Sequence, residues 1–90
     1  MNDQPPPKIE FPCEGYPIKI MGDAHEEFHE TVVTVIEKHS PGFDQAKITV
    51  RDSKNNRYKA ITVFITATGE PQLKAIFEDL KTIDLVKMVL

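Results

Sequence analysis

The sequence holds one cysteine, Cys13, so no disulfide framework can form and a reducing compartment is the simpler reading. Nothing around Cys13 resembles a catalytic setting, and it reads as a spectator thiol. The first residues contain neither the basic nor the apolar region of a signal peptide. No apolar run approaches the ~20 residues that a membrane helix needs. Together these absences point to a cytoplasmic protein without membrane contact. Serine is confined to Ser40 and Ser53, both in loop-like surroundings. There is no glycine-rich phosphate loop, no nucleophile elbow and no assembly of residues that makes a triad, so the chain reads as a non-enzyme with no cofactor. An excess of basic residues is missing as well. The net charge is −3, which argues against bulk nucleic-acid binding.

What is present is enough for one small core. Ninety residues with 40% apolar and 28% charged side chains describe a single small domain. Residues 1–10, with Pro5-Pro6-Pro7 among polar neighbours, read as a flexible tail, and 11–90 as the domain. Tyr58 to Thr68 is the longest β-prone run. Its two-residue period puts Ile61, Val63, Ile65 and Ala67 on one face, and Tyr58, Ala60, Thr62, Phe64 and Thr66 on the other. A wholly apolar face opposite a mixed one describes a central strand covered on one side only.

The remaining elements follow in order. Tyr16 to Met21 reads as a strand with Ile18 and Ile20 inward, ended by Gly22. Asp23 and Glu26 form a capping-box pattern for a helix reaching His39, with Phe28, Val32, Val35 and Ile36 as its apolar stripe. Pro41-Gly42 stops that helix. Ala46 to Arg51 alternates as a strand with Ile48 and Val50 inward. A turn over Ser53-Lys54-Asn55-Asn56 joins it to the long strand as a hairpin. Thr68 caps a second helix that has Pro71 in its first turn and Leu73, Ile76, Phe77 and Leu80 buried. Leu85 to Leu90 is a last strand, with Val86 and Met88 inward. The order β-α-β-β-α-β predicts an α+β, ferredoxin-like domain. Its four-stranded antiparallel sheet has order 4-1-3-2, and right-handed crossovers place both helices on one face.

Two motifs invite a functional reading. His25-Glu26-Glu27-Phe28-His29 fits H-E-x-x-H, in which two histidines one helical turn apart hold zinc. No third ligand accompanies it. His39 lies fourteen residues beyond His25, about 21 Å along a helix axis at ~1.5 Å per residue. Two ordinary histidines in a first turn is the better reading, with no metal site. Charge is also segregated: Asp23 to Lys38 sums to −4 and Lys47 to Lys59 to +4. The basic hairpin is either a surface for an anionic partner or a charged edge that blocks aggregation.

The open sheet face is the candidate binding surface, with Lys19, Met21, Thr62, Phe64, Leu85, Lys87 and Val89 expected on it. It would serve a protein partner, a small-molecule ligand or a second copy in a homodimer. Nucleic acid is the alternative, since RNA-recognition modules share this topology and stack bases on such a face. However, Arg57 to Phe64 lacks the glycine and paired aromatics of their signature.

Lys19-Ile20-Met21-Gly22, His39-Ser40-Pro41-Gly42, Ile61-Thr62-Val63 with Ala67-Thr68, and Leu80 before the ending Ile83-Asp84-Leu85-Val86-Lys87-Met88-Val89-Leu90 stand in one order. In that order they resemble the YbeD-like family of small uncharacterised bacterial proteins, over roughly residues 10–90. The resemblance implies a ferredoxin-like fold close to the ACT regulatory domains of metabolic enzymes, which bind small ligands. It implies no established activity and carries over no binding residue. The functional expectation is a non-enzymatic regulatory or adaptor domain that binds a small metabolite or a protein partner.

Overall fold

In the computed structural model, which describes residues 10–53 and 55–90, the chain runs β1 (Cys13–Asp23), α1 (Phe28–His39), a short 3-10 turn (Gln45–Lys47), β2 (Thr49–Asp52), β3 (Tyr58–Ala67), α2 (Glu70–Lys81) and β4 (Val86–Val89). All four strands pair antiparallel in the order β2-β3-β1-β4, which is 4-1-3-2 read from the opposite edge. The ferredoxin-like arrangement is therefore the observed one. The tail expected over residues 1–10 lies, apart from Glu10, outside the described residues.

The core forms where the apolar stripes of the helices meet one face of the two central strands. Ile18 and Ile20 of β1 and Ile61, Val63, Ile65 and Ala67 of β3 are buried with Phe28, Val32 and Ile36 of α1 and Leu73, Ile76 and Leu80 of α2. The long strand thus has the two faces that its alternation gives. Ile48 and Phe77, expected in the core, are half-buried at its margin. Phe43, in the loop after α1, joins the core without any periodic pattern to announce it.

Two core expectations fail. Val50 stands opposite Ile61, so it does point to the helical side. It sits on the edge strand, however, where little covers it, and it is 44% exposed. Met88 is 51% exposed because it faces away from the helices. It pairs with Met21, whereas Val89 pairs with Ile20 and Val86 with Gly22, an irregularity that leaves Lys87 as the extra residue. One extra residue inverts the phase of a strand. Val86, Val89 and Leu85 accordingly pack against the core.

Element boundaries move for identifiable reasons. Gly22 does not end β1: the strand continues through Asp23, whose N–H donates to the Leu85 carbonyl. Asp23 is therefore unavailable as a helix cap, and α1 begins at Phe28 with Glu27 before it and no side-chain cap. Asp44 draws residues 45–47 into the 3-10 turn by accepting the Ala46 N–H at 3.0 Å, so β2 starts at Thr49. At α2 the cap position is Gly69 rather than Thr68, with Pro71 in the first turn as expected. The β2–β3 turn places Asn56 at φ 54, the left-handed region that Asn tolerates. Ser53 Oγ accepts the N–H groups of Arg57 and Tyr58.

Candidate functional site

The register of the sheet fixes what its uncovered face presents. Residues directly opposite in antiparallel strands share a face. One row across the sheet is Arg51, Ala60, Met21 and Met88. The next is Thr49, Thr62, Lys19 and Leu90, the last joined to Lys19 by two backbone hydrogen bonds of 2.8 and 3.1 Å. Phe64 lies opposite Pro17, and Tyr58 opposite Asp23. The surface is apolar along its β4 side: Met88 is 51% exposed, Leu90 64%, and Met21 beside them is half-buried. Phe64 is half-buried without belonging to the core, and Tyr58 is 49% exposed.

Of the seven residues expected on this face, Lys19, Met21, Thr62 and Phe64 are there. Leu85 and Val89 are not; they flank the core for the register reason given above. Lys87 is exposed but turned back, donating to the Asp84 carbonyl at 3.0 Å and lying 3.7 Å from the Asp23 carboxylate. Met88, Leu90 and Arg51 belong to the surface in their place. For Met88 the sequence does contain a signal, since it lies across from Met21, but only once the extra residue in β4 is known. Among the described residues Lys19 and Arg51 form no ion pair, whereas Asp23 is matched by Lys87. The unmatched charge of the face is positive.

The H-E-x-x-H segment loses the geometry that a zinc site would require. His25 precedes α1 instead of lying in its first turn, and its Nδ1 accepts the Glu27 N–H at 3.1 Å. His29 is on the helix, so the two histidines do not share its first turn. Among the described residues no group of three His, Cys, Asp or Glu side chains is placed to hold a metal.

A second polar cluster joins the helices. His39 Nε2 lies 2.5 Å from Asp79 Oδ2, and Lys38 Nζ is 3.4 Å from the same oxygen. The hydrogen bond from His39, aided by Lys38, holds the Asp79 carboxyl below its ordinary range against the smaller opposing effect of desolvation. Gln72 completes the tie. Its Nε2 donates to the carbonyls of His39 and Thr66, and its Oε1 accepts the Thr68 N–H at 2.8 Å. The His-Ser-Pro-Gly turn is thereby clamped to α2, and Gly42, at φ 78, donates its N–H to Glu37. Sequence reasoning missed this cluster, because His39 and Asp79 are forty residues apart and nothing local pairs them.

Comparison with known proteins agrees with this fold and assigns no activity. A UPF0250 protein of Azotobacter vinelandii is 52% identical over 99% of this chain and 97% of its own length. Another from Chromobacterium violaceum is 40% identical over the whole of both chains. The solution structure of protein HP0495 from H. pylori superposes with a TM-score of 0.77, covering 98% of this chain and 91% of that one, at 21% identity. The family described as a protein of unknown function, DUF493, matches residues 6–90. The chain therefore belongs to DUF493, the YbeD-like family that its ordered motifs resemble.

Proposed function

We propose that this chain is a non-enzymatic adaptor or regulatory module of the cytoplasm that docks a protein partner on the open face of its sheet. The observation that carries this reading is the contiguous apolar surface of Met21, Met88 and Leu90, flanked by Lys19 and Arg51, cations that pair with no acid among the described residues. Surfaces of this kind, apolar and rimmed by charge, mark interaction sites. Methionine suits such a role because its unbranched side chain adapts to the partner's shape. The rim charge favours a partner segment that carries acidic side chains beside its apolar ones. The backbone contributes too. Lys19 and Leu90 exchange both hydrogen bonds, so the alternation of antiparallel pairing turns the N–H and C=O of Val89 outward along the β4 edge. The resemblance to ACT regulatory domains supports a regulatory role by fold analogy.

The test is affinity capture from bacterial lysate with the wild-type chain and with Met88→Glu. The same partner should be recovered reproducibly by the wild type and lost with the variant, whose circular dichroism and unfolding midpoint stay unchanged. Equal recovery by both chains would remove the open face from the reading. Recovery of RNA that is released by moderate salt would replace the protein partner with nucleic acid.

A further inference from the structure

At the far end of the open face, away from Met88, a cleft opens between the start of β1 and the loop that follows α1. Two adjoining depressions, of about 310 and 470 Å³, share Gly15, Lys47 and Phe64. Both volumes fall within the range of small-molecule sites. The walls differ in character. On one side stand Ala46, Ile48 and the ring of Phe64. On the other stand Glu14, the Ser40–Asp44 loop and Thr66.

Three observations show polar capacity that the fold does not use. Ser40 is only 8% exposed, yet its hydroxyl makes no hydrogen bond to any described residue. No side-chain polar atom among the described residues is both sealed from solvent and unpartnered, so that hydroxyl keeps some access to solvent, and Ser40 lines the cleft. Lys47, Glu14 and Asp44 all line the cleft, and none forms an ion pair with another or with any other described residue. Asp44 spends one carboxylate oxygen on the Ala46 N–H and keeps the second. Gly15, at φ 68, leaves the space beside it open, and a Cβ there would meet nothing within 4 Å.

We infer that this cleft binds a small zwitterion carrying an apolar group, of the size and kind of a free aromatic or branched amino acid. The charges set the class. One ammonium and two carboxylates around the same opening match a ligand bearing both signs better than a simple anion or cation. The ligand's carboxylate meets Lys47 and the Ser40 hydroxyl, and its ammonium meets Glu14 and the free oxygen of Asp44. Its apolar group lies on Phe64, Ala46 and Ile48, where an aromatic ring also gains from stacking. The cleft lies wholly within one chain and does not require the docking surface around Met88.

The experiment is an NMR titration of the ¹⁵N-labelled full chain with L-phenylalanine and L-leucine up to about 20 mM, a range that reaches even weak affinities. The expected result is saturable shifts confined to Gly15, residues 40–47 and residues 64–66. N-acetylphenylalanine, which lacks the ammonium, and phenylalaninamide, which lacks the carboxylate, should each bind at least about tenfold more weakly. Lys47→Ala and Glu14→Gln, both at exposed positions, should weaken phenylalanine by a similar factor. Absence of saturable shifts with both amino acids overturns the inference, as does binding of either derivative as tightly as phenylalanine or unchanged affinity in Lys47→Ala. The docking reading is tested at Met88, outside this cleft, so failure of one leaves the other standing.

Discussion

At Gly22 the backbone has no room for a side chain. An added Cβ would collide with the Leu85 carbonyl oxygen and lie 2.6 Å from Cε1 of the buried Phe28 ring. The glycine is needed for space, because the turn leading into β4 and the first turn of α1 close over it from two directions. Gly22→Ala should therefore destabilise the chain by on the order of 3 kcal/mol, since a fixed carbonyl and a packed ring cannot both retreat. Urea unfolding measures it, and a loss below about 0.5 kcal/mol would show that β4 does not sit where it is described. The sequence announced a glycine at the end of an apolar run, which reads as a strand terminator. The constraint that retains it comes from residues six and sixty-three positions away. Burial was legible where alternation and coverage coincide, as at Ile61, Val63 and Ile65. It was not legible at Val50, whose direction follows from the pattern but whose exposure depends on which strand forms the edge.

Among the elements, the unforeseen changes share a cause. Asp23 and Glu26 make a sound capping box in isolation, yet pairing of Asp23 with Tyr58 and its bond to Leu85 outweigh a cap worth about 1 kcal/mol. Likewise β4 alternates cleanly as a string of letters, and only its pairing with β1 reveals the extra residue that inverts it. The tie between α1 and α2 is a third non-local event, and it makes a pH prediction. Asp79 has its folded pKa below the ordinary 3.8, so the folded state binds this proton more weakly than the unfolded one. The stabilisation from the His39 and Lys38 contacts is then complete above the ordinary carboxylate range and lost as pH falls through the lowered folded value. Asp79→Asn removes that dependence. Denaturation measured from about pH 7 down to about pH 2.5 should show the wild type more stable at the upper end and the gap to the variant closing below about pH 4. A gap that stays constant across the range would mean that the carboxylate's charge contributes nothing to joining the helices.

Over the whole molecule, charge and apolar surface are arranged asymmetrically, and this bears on what covers the sheet. The segment from Asp23 to Lys38 is acidic, and α1 lies on the covered side of the sheet. The open face carries Lys19 and Arg51 without acidic partners among the described residues. Two copies meeting face to face about a two-fold axis would bring these cations together, which is unfavourable at low salt. A copy that laid its acidic helix on its neighbour's open face would satisfy the charges, but the contact is head-to-tail and leaves another face free, so it propagates instead of closing. Charge disfavours the first arrangement and lack of closure the second, which supports the proposal of a different, acidic partner over a second copy. The expected outcome for the purified chain in low salt is a light-scattering mass close to 10.2 kDa that does not rise with concentration. Capture of the partner should weaken as ionic strength passes about 0.15 M, where the screening length shortens to ~8 Å. Arg51→Glu should mainly slow association, whereas Met88→Glu should mainly speed release, because rim charges steer encounter and buried apolar groups hold the complex. A mass that keeps rising with concentration at low salt and falls back as salt is added would overturn this assignment and place the acidic helix of a second copy on the open face.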